Sequence, residues 1–106
     1  MNEEIFGPVV VVTGFDSLDD AIARANRVPW SFQAAIFSQD IDHALTAARR
    51  LEAPAVMIND HTAFRVDWMP FAGRGQSGLG VGGVGPAMRD LSQEKLIVFK
   101  VNDSAA

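Results

Sequence analysis

After Asn59 the sequence loses its period, and that break constrains the fold more than any other feature. Residues 60–85 follow neither the two-residue alternation of a half-buried strand nor the 3.6-residue recurrence of a helix. Gly73, Gly75, Gly78, Gly80, Gly82, Gly83 and Gly85 crowd one part of this stretch. An irregular segment of this length is uncommon inside a compact domain and is usually functional or disordered. Its composition is not that of a linker, because it carries Phe64, Trp68, Met69, Phe71 and Leu79. Large apolar side chains on irregular backbone need a surface to bury against. A chain of 106 residues makes one small domain with a modest core. The sequence therefore reads as part of something larger.

The first half is regular. Val9 to Thr13 is β-branched and apolar and predicts a buried strand. Ser17 with Asp20 three residues on gives a capping-box-like helix start. Asp19 and Asp20 favour the positive end of that helix. Leu18, Ala21, Ile22 and Ala25 form its apolar face, and Pro29 is expected to end it. Ala34 to Phe37 predicts a second strand. Asp40 caps a second helix with the face Ile41, Ala44, Leu45, Ala48 and Leu51, and Arg49 and Arg50 lie near its negative end. Ala55 to Ile58, after Pro54, predicts a third strand. Pro86 can open a short helix through Met88 and Leu91. Leu96 to Val101 has strong strand character, and Asn102 to Ala106 should fray. The expected class is α/β: a small three-layer piece with a parallel sheet in the order strand–helix–strand–helix–strand, then the long Gly-rich loop and a C-terminal strand.

Composition narrows the chemistry. The net charge is −4 with both signs interspersed, so nothing resembles the basic stripe of a nucleic-acid binder. No apolar run reaches the roughly 20 residues that span a bilayer, and the first residues lack a signal peptide's pattern, so a cytoplasmic location is the default. The absence of cysteine removes disulfides, thiolate metal sites and thiol nucleophiles together. His43 and His61 lack ligand spacing, and no metal site is expected.

Four motifs carry candidate chemistry. Glu4-Ile5-Phe6-Gly7-Pro8 could hold a sugar diol on the carboxylate and cover a flat cofactor with the ring. It could equally be a charged, packed turn into a strand. Gly78, Gly80 and Gly83 match G-x-G-x-x-G, but Gly73 to Ser77 before them do not form the strand that a phosphate-binding version must follow. The glycines are expected instead to permit tight turns and close packing. Asn59-Asp60-His61 follows a strand end, where α/β sheets often place functional groups. Loop capping is the better reading of its His-Asp pair, since adjacent residues seldom face each other usefully. Arg65 could clamp a carboxylate or phosphate, pair with Asp67, or stack on Trp68.

Taken in order, these pieces resemble the aldehyde dehydrogenase superfamily. Glu3-Glu4-Ile5-Phe6-Gly7-Pro8 resembles its E-E-x-F-G-P motif. Asn26 to Phe37 resembles the stretch reading Asn, then Tyr-Gly-Leu-x-x-x-Val-Phe. Ala55-Val56-Met57-Ile58-Asn59 resembles its strand ending in Asn. Pro70 to Gly80 resembles P-F-G-G-x-K-x-S-G-x-G, and Lys95 to Lys100 resembles the C-terminal strand. Ala72 departs from the first glycine of P-F-G-G, and Trp30-Ser31 from Tyr-Gly. The wording Asp60 to Arg65 most resembles members acting on small polar or anionic aldehydes.

The resemblance implies that the chain is the C-terminal segment of an NAD(P)-dependent aldehyde dehydrogenase. Residues 1–59 would be an α/β core, 60–93 a substrate-side loop and 94–101 an oligomerisation strand through which the chain self-associates. Glu4 would bind the nicotinamide ribose hydroxyls and Phe6 would support the nicotinamide ring of NAD or NADP. Asn59, Phe64, Arg65 and Phe71 would line the side that takes a small aldehyde. The family's catalytic cysteine and nucleotide-binding domain have no counterpart here. No residue of this chain is expected to be catalytic, and the chain alone is expected to be inactive and to bind no cofactor. The alternative is a free-standing small α/β protein that uses the segment for assembly or partner binding.

Overall fold

The computed structural model describes residues 3–100. Both long helices start where their caps predict. Ser17 accepts from the Asp20 N–H at 3.1 Å and opens α1, Leu18–Ala25. Asp40 accepts from the His43 N–H at 3.0 Å and opens α2, Ile41–Arg50. Each bond satisfies an amide that has no partner within its helix. Helix α1 ends at Ala25, ahead of Pro29. Its C-cap Asn26 donates from Nδ2 to the Arg50 carbonyl at 2.9 Å and accepts at Oδ1 from the Glu52 N–H at 3.0 Å. One side chain thus ends the first helix and ties down the end of the second. Asp19 pairs with Arg50 between the same two helices.

Between the helices lie β1, Trp30–Ser31, and β2, Gln33–Ile36; after α2 comes β3, Ala55–Ile58. Strands β2 and β3 pair in parallel, from Gln33 opposite Ala55 to Ile36 opposite Ile58. Helix α2 makes the crossover that parallel pairing requires. Its Ala44 and Ala47, with Ile22 of α1 and Met57 of β3, are the buried side chains among the described residues.

The region after Asn59 is not wholly irregular. It holds β4, Phe71–Ala72, β5, Arg74–Gly75, β6, Val81–Gly82, and α3, Val84–Asp90. Strand β4 pairs antiparallel with β6, and β5 returns to pair antiparallel with β1. Helix α3 opens at Val84, two residues before Pro86, which falls in the first turn where proline is tolerated. Periodicity missed these strands because each is two residues long, too short to show alternation.

The result is a mixed α/β chain with short sheets, and two expected strands are not formed. Val9–Thr13 and Leu96–Lys100 are exposed and pair with nothing among the described residues. Val101 and the fraying expected for 102–106 lie outside the described residues. A strand exists only through its cross-strand hydrogen bonds, and the described residues offer these two segments no strand partner. The expected parallel sheet is therefore reduced to the β2–β3 pair. The shape agrees. The radius of gyration is 21.4 Å, against about 13 Å for a compact domain of this length. The accessible surface is 9248 Å², against about 5,800 Å² expected for a folded monomer of this mass. No helix among the described residues is long and apolar enough to cross a membrane.

Two outcomes are expected. Asn26→Ala removes both bonds to the end of α2 and should destabilise the helix pair by about 1–3 kcal/mol, at about 0.5–1.5 kcal/mol per bond, as read by urea unfolding. The second concerns Asp40. The His43 amide, and to a lesser degree the His43 charge, holds its carboxyl below the ordinary value. A lowered folded-state pKa gives stability that is present above the unfolded value and lost as pH falls through the folded one. Protection of the His43 amide from exchange should therefore drop on acidification below about pH 4. Asp40→Asn, which keeps an acceptor but does not titrate, should abolish that drop.

Candidate functional site

The end of β3 positions the loop that follows it. Asn59 adopts φ +57°, a left-handed conformation that asparagine tolerates better than most residues. Its N–H donates to the Ile36 carbonyl at 2.8 Å. Its side chain donates from Nδ2 to the Ser38 carbonyl and accepts at Oδ1 from the Ser38 N–H, both at 2.9 Å. The side-chain amide thus continues the ladder one step beyond the point where the backbone has turned away. Both ends of that amide are engaged by the fold, so Asn59 aims the loop.

Asp60 and His61 make only local contact. Asp60 accepts from the His61 N–H at 2.8 Å, and the imidazole Nε2 is 3.8 Å from the same carboxylate. Turns at His61–Phe64 and Val66–Met69 then fold the loop back toward β4. This brings Arg65 onto Phe71. The guanidinium carbon lies 4.6 Å from the ring centroid, and Nη2 donates to the Met69 carbonyl at 3.4 Å. Phe71 in turn meets the edge of Phe32, with centroids 4.9 Å apart and planes at 75°. Arg65 neither pairs with Asp67 nor stacks on Trp68. The ion pairs among the described residues are Arg24–Asp20, Arg50–Asp19 and the contacts of His43 and His61 with their aspartates. Arg65 belongs to none of them. Phe64 sits on the same loop, half exposed.

Glu4 and Phe6 lie elsewhere. They line an open hollow of about 580 Å³ with Glu3, Val9, Val28 and Trp30, and Asn59, Phe64, Arg65 and Phe71 take no part in it. The Phe6 ring is 96% exposed. A carboxylate with no partner among the described residues, beside an exposed aromatic face, suits a vicinal diol next to a flat ring.

The glycine-rich run does not form a phosphate cradle. Gly78 and Gly80 precede β6, and Gly83 caps a helix of only 7 residues. Its glycines serve backbone approach. A Cβ on Gly75, which has φ +57°, would collide with the Pro29 carbonyl, and one on Gly73 would collide with Ser77. Ala72 is different. It lies in β4 opposite Val81 with an ordinary backbone, so alanine fits where the motif usually has glycine. Trp30 lies in β1 opposite Gly75.

Sequence reasoning passed over Phe32 and Ser38, the partners of Phe71 and Asn59. Phe32 stands between two short strands, at the leucine position of the Tyr-Gly-Leu stretch, where it belongs to the resemblance and not to the expected site residues. Ser38 contributes only backbone atoms to the Asn59 contact, so no side-chain signal could have marked it.

Comparison with known proteins shows what frame these residues belong to. The model of the aldehyde dehydrogenase family matches residues 1–97. Aspartate-semialdehyde dehydrogenase 1 of Pseudomonas canavaninivorans is 45% identical over 98 residues, 92% of this chain and 21% of that protein. The 3-sulfolactaldehyde dehydrogenase of Priestia aryabhattai is 35% identical over 99 residues, 93% of this chain and 21% of that protein. Among solved structures, aldehyde dehydrogenase 21 of Physcomitrella patens, in complex with the reaction product succinate, superposes with a TM-score of 0.86. It is 34% identical, covering 98% of this chain and 22% of that one. An aldehyde dehydrogenase of Bacillus cereus, complexed with NAD+, has a TM-score of 0.80 and 38% identity over 87% of this chain and 18% of that one. Glyceraldehyde-3-phosphate dehydrogenase GapN of Methanocaldococcus jannaschii, complexed with NADP, has a TM-score of 0.66 and 43% identity over 71% of this chain and 16% of that one. The chain thus spans about a fifth of the length of the curated relatives it matches. With nearly its whole length matched in sequence and in fold, it belongs to the aldehyde dehydrogenase family.

Proposed function

We propose that the chain is the C-terminal segment of an enzyme that oxidises a small aldehyde to a carboxylic acid with NAD or NADP in the cytoplasm. The observation that carries this reading is the family match over residues 1–97 in a chain covering about a fifth of its relatives. Residues 1–59 supply an α/β core, 60–93 the substrate side and 94–101 an assembly strand. The relatives named for aspartate semialdehyde and 3-sulfolactaldehyde, and the structure holding succinate, support a small aldehyde bearing an acid group.

When bound, the nicotinamide cofactor accepts hydride from the substrate carbon. Glu4 would hold its ribose hydroxyls and Phe6 would back its ring, in keeping with the exposed ring of Phe6 beside the Glu4 carboxylate in one hollow. The thiolate that the family's chemistry requires must come from outside residues 1–106, because the chain has no cysteine. The chain alone therefore supplies positioning groups and no nucleophile. The elongated shape argues against the alternative of a self-sufficient domain.

Purified residues 1–106 should give no NAD(P)H with short aldehydes, while the full-length enzyme carrying them should turn over. Glu4→Gln in that enzyme should lower kcat/KM by roughly 10- to 100-fold through weaker bonds to the ribose. Turnover by the cysteine-free chain, or a variant as active as its parent, would refute these assignments.

The chain should also self-associate. Leu96, Ile97, Val98 and Phe99 are exposed and join no sheet among the described residues, so a segment of strand-forming composition has amides and carbonyls to offer another chain. Sedimentation should find dimers or larger species, and Val98→Lys should shift them toward monomer. A monomer at every concentration would overturn the assignment of 94–101.

A further inference from the structure

We infer that Trp30 is a positioning residue for the cofactor ring, the fixed wall of the hollow that contains Glu4 and Phe6, and that Gly75 sets its place. The inference rests on the reading of Glu4 and Phe6 as cofactor groups and adds the residue that gives their hollow a rigid side. Three observations carry it. Trp30 lines the Glu4–Phe6 hollow of about 580 Å³ and also a second hollow, of about 520 Å³, bordered by Asn26, Gln33 and Gly75. It therefore stands as a partition between the two, a place that only the smaller Val28 shares.

The two sides of the first hollow also differ in how their backbone is held. Glu4 and Phe6 belong to no sheet among the described residues, and the Phe6 ring is almost wholly exposed. Trp30 is half-buried and lies in β1, where it stands opposite Gly75 of β5. That pairing is close. The Gln76 N–H donates to the Pro29 carbonyl at 2.8 Å, on the peptide that leads into Trp30. Gly75 has φ +57°, and a Cβ there would collide with the same carbonyl. Only glycine lets β5 lie this near, so the peptide carrying Trp30 is placed by a strand of the Gly-rich run.

Ordering groups on unpaired backbone costs binding free energy, and a wall set before the ligand arrives lowers that cost. An aromatic wall also suits a flat ring, which it can meet by offset stacking or by its edge. Trp30 offers no charge to the reaction, so its loss should fall on cofactor affinity and spare the aldehyde.

The test uses the full-length enzyme carrying this segment and reads NAD(P)H binding directly. Trp30→Ala should weaken the Kd for NAD(P)H roughly 5- to 50-fold, the loss expected when a large ring leaves an apolar contact. It should leave the aldehyde KM at saturating NAD(P) within about threefold. Trp30→Phe keeps an aromatic face and should bind NAD(P)H within about threefold of the parent. It should also lose part of the energy transfer from tryptophan emission to the reduced nicotinamide, a signal that a packing role would not move. Gly75→Ala, which displaces the Pro29 carbonyl and leaves the indole on the chain, should weaken NAD(P)H binding as well. Equal losses in cofactor Kd and aldehyde KM, or a phenylalanine variant as poor as the alanine one, would make Trp30 a packing residue and overturn the inference. Undiminished energy transfer in Trp30→Phe would overturn it too. Should Trp30→Ala not fold, the transfer signal of Trp30→Phe and the affinity of Gly75→Ala decide. Glu4→Gln separates the inference from the reading beneath it. Weaker NAD(P)H binding there with none in Trp30→Ala removes the inference alone, and no loss in either variant removes both.

Discussion

The parallel ladder between β2 and β3 is the interaction on which the rest of the described chain hangs. It is four residue pairs long, where the other two sheets have two each. Parallel pairing forces a crossover, and α2 provides it by setting Ala44 and Ala47 into the core. Small side chains there let the helix backbone come close to the strands. Asn26 then locks the C-terminal end of α2 to α1. At the other end of the ladder Asn59 substitutes a side-chain amide for backbone and releases the chain into the loop. Two asparagines thus do at the margins of the core what its few buried side chains cannot do alone.

From that ladder the candidate chemistry divides. The Glu4–Phe6 hollow is built on unpaired backbone ahead of α1, with Trp30 as its link to the paired part. The Arg65–Phe71–Phe32 cluster is built on strands and turns that fold back on the core. The first arrangement leaves its groups free to meet something large and flat. The second seats a cation on an aromatic face that a short strand pair holds.

The sequence made legible what local physics decides. Ser17 and Asp40 marked helix starts because their side chains answer to amides a few residues on. Ala55–Ile58 read as a strand because a buried strand is apolar throughout. Pro29 bounded α1, which ends at Ala25 ahead of it, and the contacts of the C-cap Asn26 with the end of α2 left no local signal. Val9–Thr13 and Leu96–Lys100 read as strands from composition that is right for strands, but pairing is a property of neighbours. The family motifs covered both Phe71 and Phe32, but their contact joins residues 39 positions apart, which no local pattern reveals. Arg65 was legible as a cation in an aromatic loop, and only coordinates could choose Phe71 over Asp67 and Trp68.

The accessible surface, far above that of a folded monomer of this mass, has a thermal consequence. Much of the excess is hydrocarbon, from Val10 and Val12 to Leu96 and Phe99. Removing apolar groups from water lowers the heat capacity of the system. Any docking that covers these segments will therefore carry a negative heat-capacity change, and near room temperature it will be driven mainly by released water. Such an association weakens on cooling as well as on strong heating. The chain's hold on whatever covers it is then a property of a temperature window.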